Sequence, residues 1–400
     1  MIPTRWRKVW RDLWANKTRT ILVLLSIAVG VTSIGMVMGA QIIVDESLPA
    51  AYADVNPASA TIYTLNTFDE DLVDAIRELP AVGEVEGRRY STIRFLTGDD
   101  EWRSLQLTAI PDFDQVEINK IKMQEGIFPP PDQTLAIERA SFTDNLGLGD
   151  ASVGDTLHIE STNGKKREIE ISGSVHDLSQ LPAFIQGSGY GYVSFETLEW
   201  LGEPRDFNQI VFVVAENEMD IDHIQTVGDI VREKMEKAGT PVYFTLIFPP
   251  GEHPAQNFLN AISIILGAMG ILSLALSSFL IVNILSAILA QQVKQIGMMK
   301  AVGARTGQIT VMYFVLVLLF GVLALLISIP LGAVGATALS SIFANLLNFD
   351  VAGFSLASNV VAVQVFIGLT IPLLSAIYPI YRGTRVTVNQ ALGEQGLGKG

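Results

Sequence analysis

The chain has 400 residues, with 27 Lys and Arg against 41 Asp and Glu, no cysteine, and only 17% charged residues. That share falls below the roughly 25% of an ordinary soluble domain, and residues 20–44, 253–293, 306–349 and 351–381 carry no Asp, Glu, Lys or Arg at all. Each stretch exceeds the roughly 20 apolar residues that cross a bilayer, which excludes a wholly soluble protein, a disordered chain and a disulfide-stapled secreted domain.

Residues 1–20 predict an amphipathic helix. Trp6, Val9, Trp10, Leu13 and Trp14 recur at helical spacing on one face, and Arg5, Lys8, Arg11 and Asp12 take the other. Such a helix lies in the membrane interface on the cytoplasmic side, with Trp6, Trp10 and Trp14 at headgroup level and Arg11 among the residues that meet anionic lipid. A cytosolic helix packed on a soluble core is the alternative. The first span is placed at 21–43; its basic leader and apolar run are both too long for a cleaved signal peptide.

Segment 45–252 reads as a mixed α/β domain long enough to bury a core, in one or two subdomains. Ser59–Leu65 and Thr92–Leu96 are strand-like. Asp69–Leu79 is a short amphipathic helix, capped by Asn66 or Thr67 and stopped by Pro80. Thr156–Glu160 and Lys166–Gly173 are strands joined through Asn163-Gly164, a hairpin turn signal. Ser194–Leu201 and Asp220–Lys237 read as helices, Ile210–Val214 and Val242–Ile247 as strands. Phe128–Pro131 is a stiff turn, and the Gly-rich Leu178–Gly191 reads as a loop, either buried or partner-binding, with burial favoured.

Three further spans are placed at 258–289, 309–340 and 360–381, with a cytoplasmic segment 291–305 between the first two and a tail 382–400. Asn283 lies within the second of the four spans, and its amide is cheaper against a neighbouring helix than in lipid. Pro330, Pro372 and Pro379 imply kinks or ends.

The charges sort by side. Before the first span stand six basic residues against Asp12; between the second and third spans stand Lys294, Lys300 and Arg305 with no acid; after the fourth, Arg382, Arg385 and Lys399 face Glu394. Segment 45–252 has 15 basic and 38 acidic residues. Short basic segments stay in the cytoplasm. Both termini and 291–305 are therefore expected inside, and 45–252 and 341–359 outside. The fold class is an α-helical membrane protein with four transmembrane helices and a mixed α/β extracytoplasmic domain inserted between the first and second spans. The acidic balance argues against a nucleic-acid partner.

Catalytic patterns are scarce. His158, His176, His223 and His253 are scattered, with no HExxH, and without cysteine no zinc ribbon is possible. The one P-loop-like spacing, Gly393 to Gly398-Lys399, continues into Gly400 where Ser or Thr is needed, and reads as a flexible tail. Asp99-Asp100-Glu101 and Asp69-Glu70-Asp71 read as solvated loop and helix start rather than cation sites. The spans hold no ionisable residue, which weighs against a proton-coupled carrier or an ion channel. No catalytic, cofactor-binding or metal-ligating residue is expected in this chain.

Three stretches resemble the FtsX/MacB-type permeases of ABC transporters, the type VII or mechanotransmission systems. Arg11–Ile34 looks like the family's lead into its first span. Lys294-Gln295-Ile296-Gly297-Met298-Met299-Lys300-Ala301-Val302-Gly303-Ala304-Arg305 is similar to the family signature R-E-I-G-x-x-(K/R)-A-x-G-A. Tyr378-Pro379, Arg382, Arg385 and Ala391-Leu392 resemble its closing motif, and 146–214, with Gly154-Asp155-Thr156 and Gly191-Tyr192-Val193-Ser194, looks like the MacB-type external domain. The chain departs from the pattern at Gln295, where the signature has Glu, and at Leu316, where a Glu is common; the 400 residues contain no fused ATPase domain. The size of the inserted domain places it nearer the MacB and LolC/LolE branch than FtsX proper.

The resemblance implies a bacterial cytoplasmic-membrane permease that pairs with a second copy or a related permease. It implies that 291–305 forms a coupling helix and loop seated on a separate ABC ATPase, which binds ATP and Mg, and that Lys294, Gln295, Ile296, Gly297, Met298, Met299, Lys300, Ala301, Gly303, Ala304 and Arg305 make that contact. Taken physically, the same stretch is either a docking helix, with Gly297 and Gly303 permitting close approach and a sharp reversal, or a tight loop held by basic anchors. The implied work is export or extrusion of a lipid, lipoprotein, peptide or drug-like molecule, with a membrane-fusion adaptor outside. The alternatives are signalling to an external cell-wall hydrolase or a sensor kinase, and a structural membrane anchor.

Overall fold

The computed structural model of the chain describes residues 17–98, 100–351 and 357–388; the predicted interfacial helix with Trp6, Trp10, Arg11 and Trp14 lies outside them. The chain divides into two compact units, one holding the chain through Val44, Asn260–Ser341 and the chain from Ala352, the other Asp45–Leu259 and Ile342–Val351.

The first unit is helical. Its helices are α1 (Lys17–Ala53), and later in the chain α6 (Gln256–Ala301), α7 (Thr306–Leu347) and α8 (Ser358–Thr384), all four long and apolar enough to cross a membrane. Each is longer than the apolar window that predicts it. The helices run through Pro49 of α1, Pro330 of α7 and Pro372 and Pro379 of α8, none of which ends its helix; α1 stops at Ala53, ahead of Asn56 at φ 49° and Pro57. Val23, Ile27 and Val31 form the buried stripe of α1; Leu285, Leu289 and Ile296 of α6, Tyr313, Leu316 and Phe320 of α7 and Ala376 and Ile380 of α8 join the same core. Leu316, where the resemblance implies a glutamate in many members, is thus a core residue.

A buried amide organises three of these helices. Gln364 of α8 donates to Val31 O of α1 at 3.4 Å and to Ser328 O of α7 at 3.3 Å. Gly35 and Gly332 make room for it: a Cβ would lie 1.9 Å and 2.6 Å from Gln364 Nε2. Small residues that admit a polar side chain between helices are a recurrent packing device in membranes. Asn283 behaves otherwise. It is exposed on α6 among the described residues.

The second unit carries β1 (Ala60–Phe68), α2 (Glu70–Arg77), β2 (Val82–Leu96), β3 (Trp102–Ile110), β4 (Lys122–Gly126), β5 (Thr134–Glu138), β6 (Thr156–Glu160), β7 (Lys166–His176), α3 (Ala183–Gln186), β8 (Gly189–Ser194), α4 (Phe195–Leu201), β9 (Phe207–Val214), α5 (Ile221–Lys237) and β10 (Val242–Leu246). The order β10-β1-β9-β2 with every neighbour antiparallel, and α2 and α5 as the two crossovers, is the split βαβ arrangement of ferredoxin-like sheets. Everything from β3 to α4 is inserted between its second and third strands.

The insertion closes on itself. β2 is 15 residues long. Its first half, to Arg88, pairs with β9, and its second half, from Arg89, pairs with β3. From there the ladder runs β3-β8-β5-β7, and β6 pairs with both β7 and β2, so six strands form a ring, with β4 outside on β7. Alternation fills the interior: Ile93 and Phe95, Leu105 and Leu107, Leu135 and Ile137, Leu157 and Ile159, and Ile169 and Ile171 all enter one core.

The β6–β7 hairpin, α4 and α5 lie where their patterns place them, with Ser194 accepting from Thr197 N–H at 3.1 Å and Asp220 from Asp222 N–H at 3.0 Å as caps. The cap of α2 is Asp69 rather than Asn66 or Thr67, because β1 runs on to Phe68 and uses both as strand residues. Leu178–Gly191 contains the start of a central strand, β8, that alternation does not reveal. Gly191 sits where a Cβ would come within 2.6 Å of the Leu135 side chain, so ring packing requires glycine there.

Candidate functional site

The segment around 291–305 is not a separate helix. α6 continues unbroken to Ala301, so Lys294, Gln295, Ile296, Gly297, Met298, Met299, Lys300 and Ala301 form its last turns, and only Val302–Arg305 make the reversal into α7. No residue in 284–301 breaks a helix, whereas Gly303, at φ 102°, does. The reversal is a Schellman motif: Ala304 N–H reaches Met299 O at 2.9 Å and Gly303 N–H reaches Lys300 O at 3.0 Å. Met299 and Ala304, the pair this motif brings together, both pack on the helical core. On the far side, Gln308 Oε1 accepts from Arg305 N–H at 3.1 Å, the reciprocal half of a capping box for α7.

This local closure sorts the side chains. Ile296 is fully buried, and the neighbouring Gln292 accepts from the Tyr313 hydroxyl, fixing the end of α6 against α7. Lys300 Nζ donates to Val386 O at 2.9 Å, tying the same turn to the segment after α8. Lys294, Gln295, Met298, Ala301, Val302, Gly303 and Arg305 are left exposed, Met298 at 54% and Val302 at 90%. Two apolar side chains thus stand clear of the core, among basic residues and with no acid between Ala290 and Gln308. The arrangement has no nucleophile, acid–base pair or metal donor set; it is suited to contact. Among the described residues no group of three or more His, Asp or Glu is placed to hold a metal ion.

A second polar cluster lies in the other unit. Glu138 ends β5 and is 2% exposed, accepting from Ala140 N–H at 2.8 Å and from the Asn348 amide just beyond α7. Burial, with the Asp177 carboxylate nearby, pushes Glu138 up to about 8. Arg139 Nε donates to Asn348 Oδ1 at 2.6 Å and the same guanidinium pairs with Asp350 at 3.0 Å. His176 Nε2 lies 2.6 Å from Asn348 O and donates to it; burial and the Arg139 charge lower its pKa. Glu138, Arg139 and His176 each bond Asn348, and Arg139 also pairs with Asp350, so the cluster is a clamp on residues 348–350. Sequence spacing gives no sign of it, since Glu138, Arg139 and His176 lie 210, 209 and 172 positions before Asn348.

The comparisons with known proteins agree with this layout. The profile of the MacB-like periplasmic core domain matches residues 20–226, about half of the chain, and that of the FtsX-like permease C-terminal region matches residues 267–388. The chain belongs to the FtsX/MacB-type permeases of ABC transporters. The permease is 25% identical over 360 residues to the macrolide export ATP-binding/permease protein MacB of Brucella melitensis, a match that covers 83% of the permease and 52% of that relative. It thus spans about half the length of the curated relative it matches. Among solved structures it resembles the extracellular domain of the noncanonic ABC-type transporter YknZ from Gram-positive bacteria, with 14% identity, a TM-score of 0.32, and coverage of 48% of the permease and 99% of that chain. It also resembles the periplasmic region of MacB from Actinobacillus actinomycetemcomitans, with 13% identity, a TM-score of 0.33, and coverage of 52% and 96%. Permeases of this family generally have no enzymatic activity of their own and work with ABC ATPases.

Proposed function

We propose that the permease is the membrane subunit of an ABC transporter and that a separate ATPase, carrying the ATP and Mg, docks on the α6–α7 turn. The observation that carries this reading is the turn itself, its backbone closed by local hydrogen bonds, with Met298 and Val302 exposed among Lys294, Lys300 and Arg305. The excess of Lys and Arg in the short segments supports a turn and both termini in the cytoplasm of a bacterial cell, with the acidic 45–252 domain outside its cytoplasmic membrane. Two permease chains, identical or related, form the core; a second chain laid against α6 supplies the partner that the exposed Asn283 amide lacks. Closure of the ATPases moves the turn, and α6, which runs unbroken to it from Gln256, transmits the motion along its length. The work done outside is export or hand-on of a lipid, lipoprotein, peptide or drug-like molecule, with a membrane-fusion adaptor as external partner.

The test is to purify the tagged permease from its native membranes in mild detergent and identify by mass what accompanies it. A stoichiometric ABC ATPase is the expected result, and a well-folded permease with none overturns the docking assignment. A membrane-fusion adaptor beside the ATPase supports export, whereas a cell-wall hydrolase or a sensor kinase in its place makes the same machine a signalling device.

A further inference from the structure

The acidic domain between residues 45 and 252 contains one long stretch with no charge at all. Its longest charge-free run is Leu178–Phe195, bounded by Asp177 and Glu196. At the tip of that run stands α3, a single rigid turn: Gln186 N–H and Gly187 N–H return to Pro182 O and Ala183 O at 3.1 and 2.8 Å, and Gly187 closes it at φ 75°. The turn displays Phe184 and Ile185, each 41% exposed, followed by the neutral Gln186 and Gly187.

Two contacts fix where this tip sits along the chain's path into the membrane. His253, just before α6, is buried; its Nδ1 accepts from Ala255 N–H at 3.1 Å, so the ring proton is on Nε2, which donates to Leu178 O at 3.0 Å. The Phe184 ring lies 5.5 Å from that of Phe258, in the first turn of α6. Phe258 lies in the first turn of a helix long and apolar enough to cross a membrane, and Ile264 and Ile265, exposed at 73% and 60%, follow about 10 Å further along it. The apolar tip therefore packs on the first turn of α6, the end at which that helix begins its apolar length.

We propose that the α3 turn dips into the membrane interface, with Phe184 and Ile185 among the phospholipid headgroups and upper acyl chains. The missing charges then have a reason, because Lys, Glu or Asp at this depth would lose hydration, while Phe and Ile gain an apolar environment. The inference rests on the membrane-spanning assignment of α6 and is independent of ATPase docking.

The chain has no cysteine, so Ile185→Cys, Met219→Cys and Leu326→Cys each carry a single thiol for a nitroxide label. Met219 is 72% exposed between Glu218 and Asp220 and serves as the aqueous reference; Leu326, 69% exposed in the middle of α7, is the lipid reference. The full-length permease is reconstituted into vesicles of phosphatidylethanolamine and phosphatidylglycerol, and collisions of each label with oxygen and with a water-soluble nickel chelate are measured. The expected result at 185 is an oxygen-to-nickel ratio several-fold above that at 219 and shifted toward that at 326. A ratio equal to that at 219 places the turn in water and overturns the proposal. Low collision with both reagents means that protein, a second copy included, covers the turn, and overturns it equally. Phe184→Cys repeats the measurement one residue away and excludes a local effect of the 185 label.

Discussion

At its start α7 is capped from within its own turn, Gln308 accepting from Arg305 N–H. At its end Asn348 is held by Glu138 and Arg139, 210 and 209 residues earlier in the chain. The first arrangement satisfies the backbone with local groups and leaves Met298 and Val302 exposed. The second holds polar side chains against a distant strand end and buries a carboxyl to do so. A turn built to receive a partner is best closed locally, since its shape then does not depend on which side chains the partner takes up. A long-range clamp couples two segments and makes their union depend on ionisation.

The largest expected effect separates the two ends. Met298→Glu combined with Val302→Asp places two acids on a surface that has none, and should lower ATPase recovery with the tagged permease at least tenfold; expression and thermal midpoint should not change, because neither side chain is buried. Equal recovery with the double variant would break the assignment of this turn as the docking surface. At the other end, Asn348→Ala removes partners from Glu138 and Arg139 together. A buried group left unpaired costs about 1–3 kcal/mol, more when charged, so a thermal midpoint lower by several degrees is expected, read by intrinsic fluorescence, with ATPase recovery preserved.

The pH response sharpens the comparison, and its sign is fixed by the shifts. Glu138 is raised from 4.5 to about 8, so the folded protein holds a proton that the unfolded chain has lost across that interval. Its contribution is complete below about 4.5 and is lost as pH rises through about 8. His253 is lowered to about 4 by burial, so its contribution is complete above about 6.5 and is lost as pH falls toward 4. Glu138→Gln, neutral at every pH, should flatten the alkaline limb by up to a few kcal/mol and leave the acid limb unchanged. An alkaline limb that persists in this variant would assign it to another group. The smallest effect is at the reversal, where Gly303→Ala puts a Cβ on a left-handed backbone with open space around it, costing about 1 kcal/mol and lowering the midpoint by a few degrees.

The two amides of the spans show where reading the sequence stops. Asn283 and Gln364 both interrupt apolar helices, and only Asn283 draws attention as an interhelical contact. In the folded chain Gln364 is the one between helices, because Gly35 and Gly332 lie opposite it on two other helices. Periodicity gives the face of one helix, not the gaps on its neighbours. The inserted domain divides in the same way. The β6–β7 hairpin, α4 and α5 are legible because a turn dipeptide or a capping side chain marks each of them locally. β8 is a buried ring strand that carries Gly189 and Gly191 where ring partners crowd it, so its pattern resembles a loop.

By itself the sequence determines the four spans, since a run of 20 or more uncharged residues has no stable alternative to the bilayer. It also determines the hairpin and caps of the inserted domain and the family signature at 294–305, all properties of residues adjacent in the chain. Only the tertiary structure decides that β2 is shared by a ferredoxin-like sheet and a closed ring, that α6 continues to Ala301, that Gln364 rather than Asn283 is enclosed, and that Glu138 and Arg139 hold Asn348. Each of these depends on groups distant in sequence meeting at hydrogen-bond or van der Waals range, which is set by packing and not by local pattern.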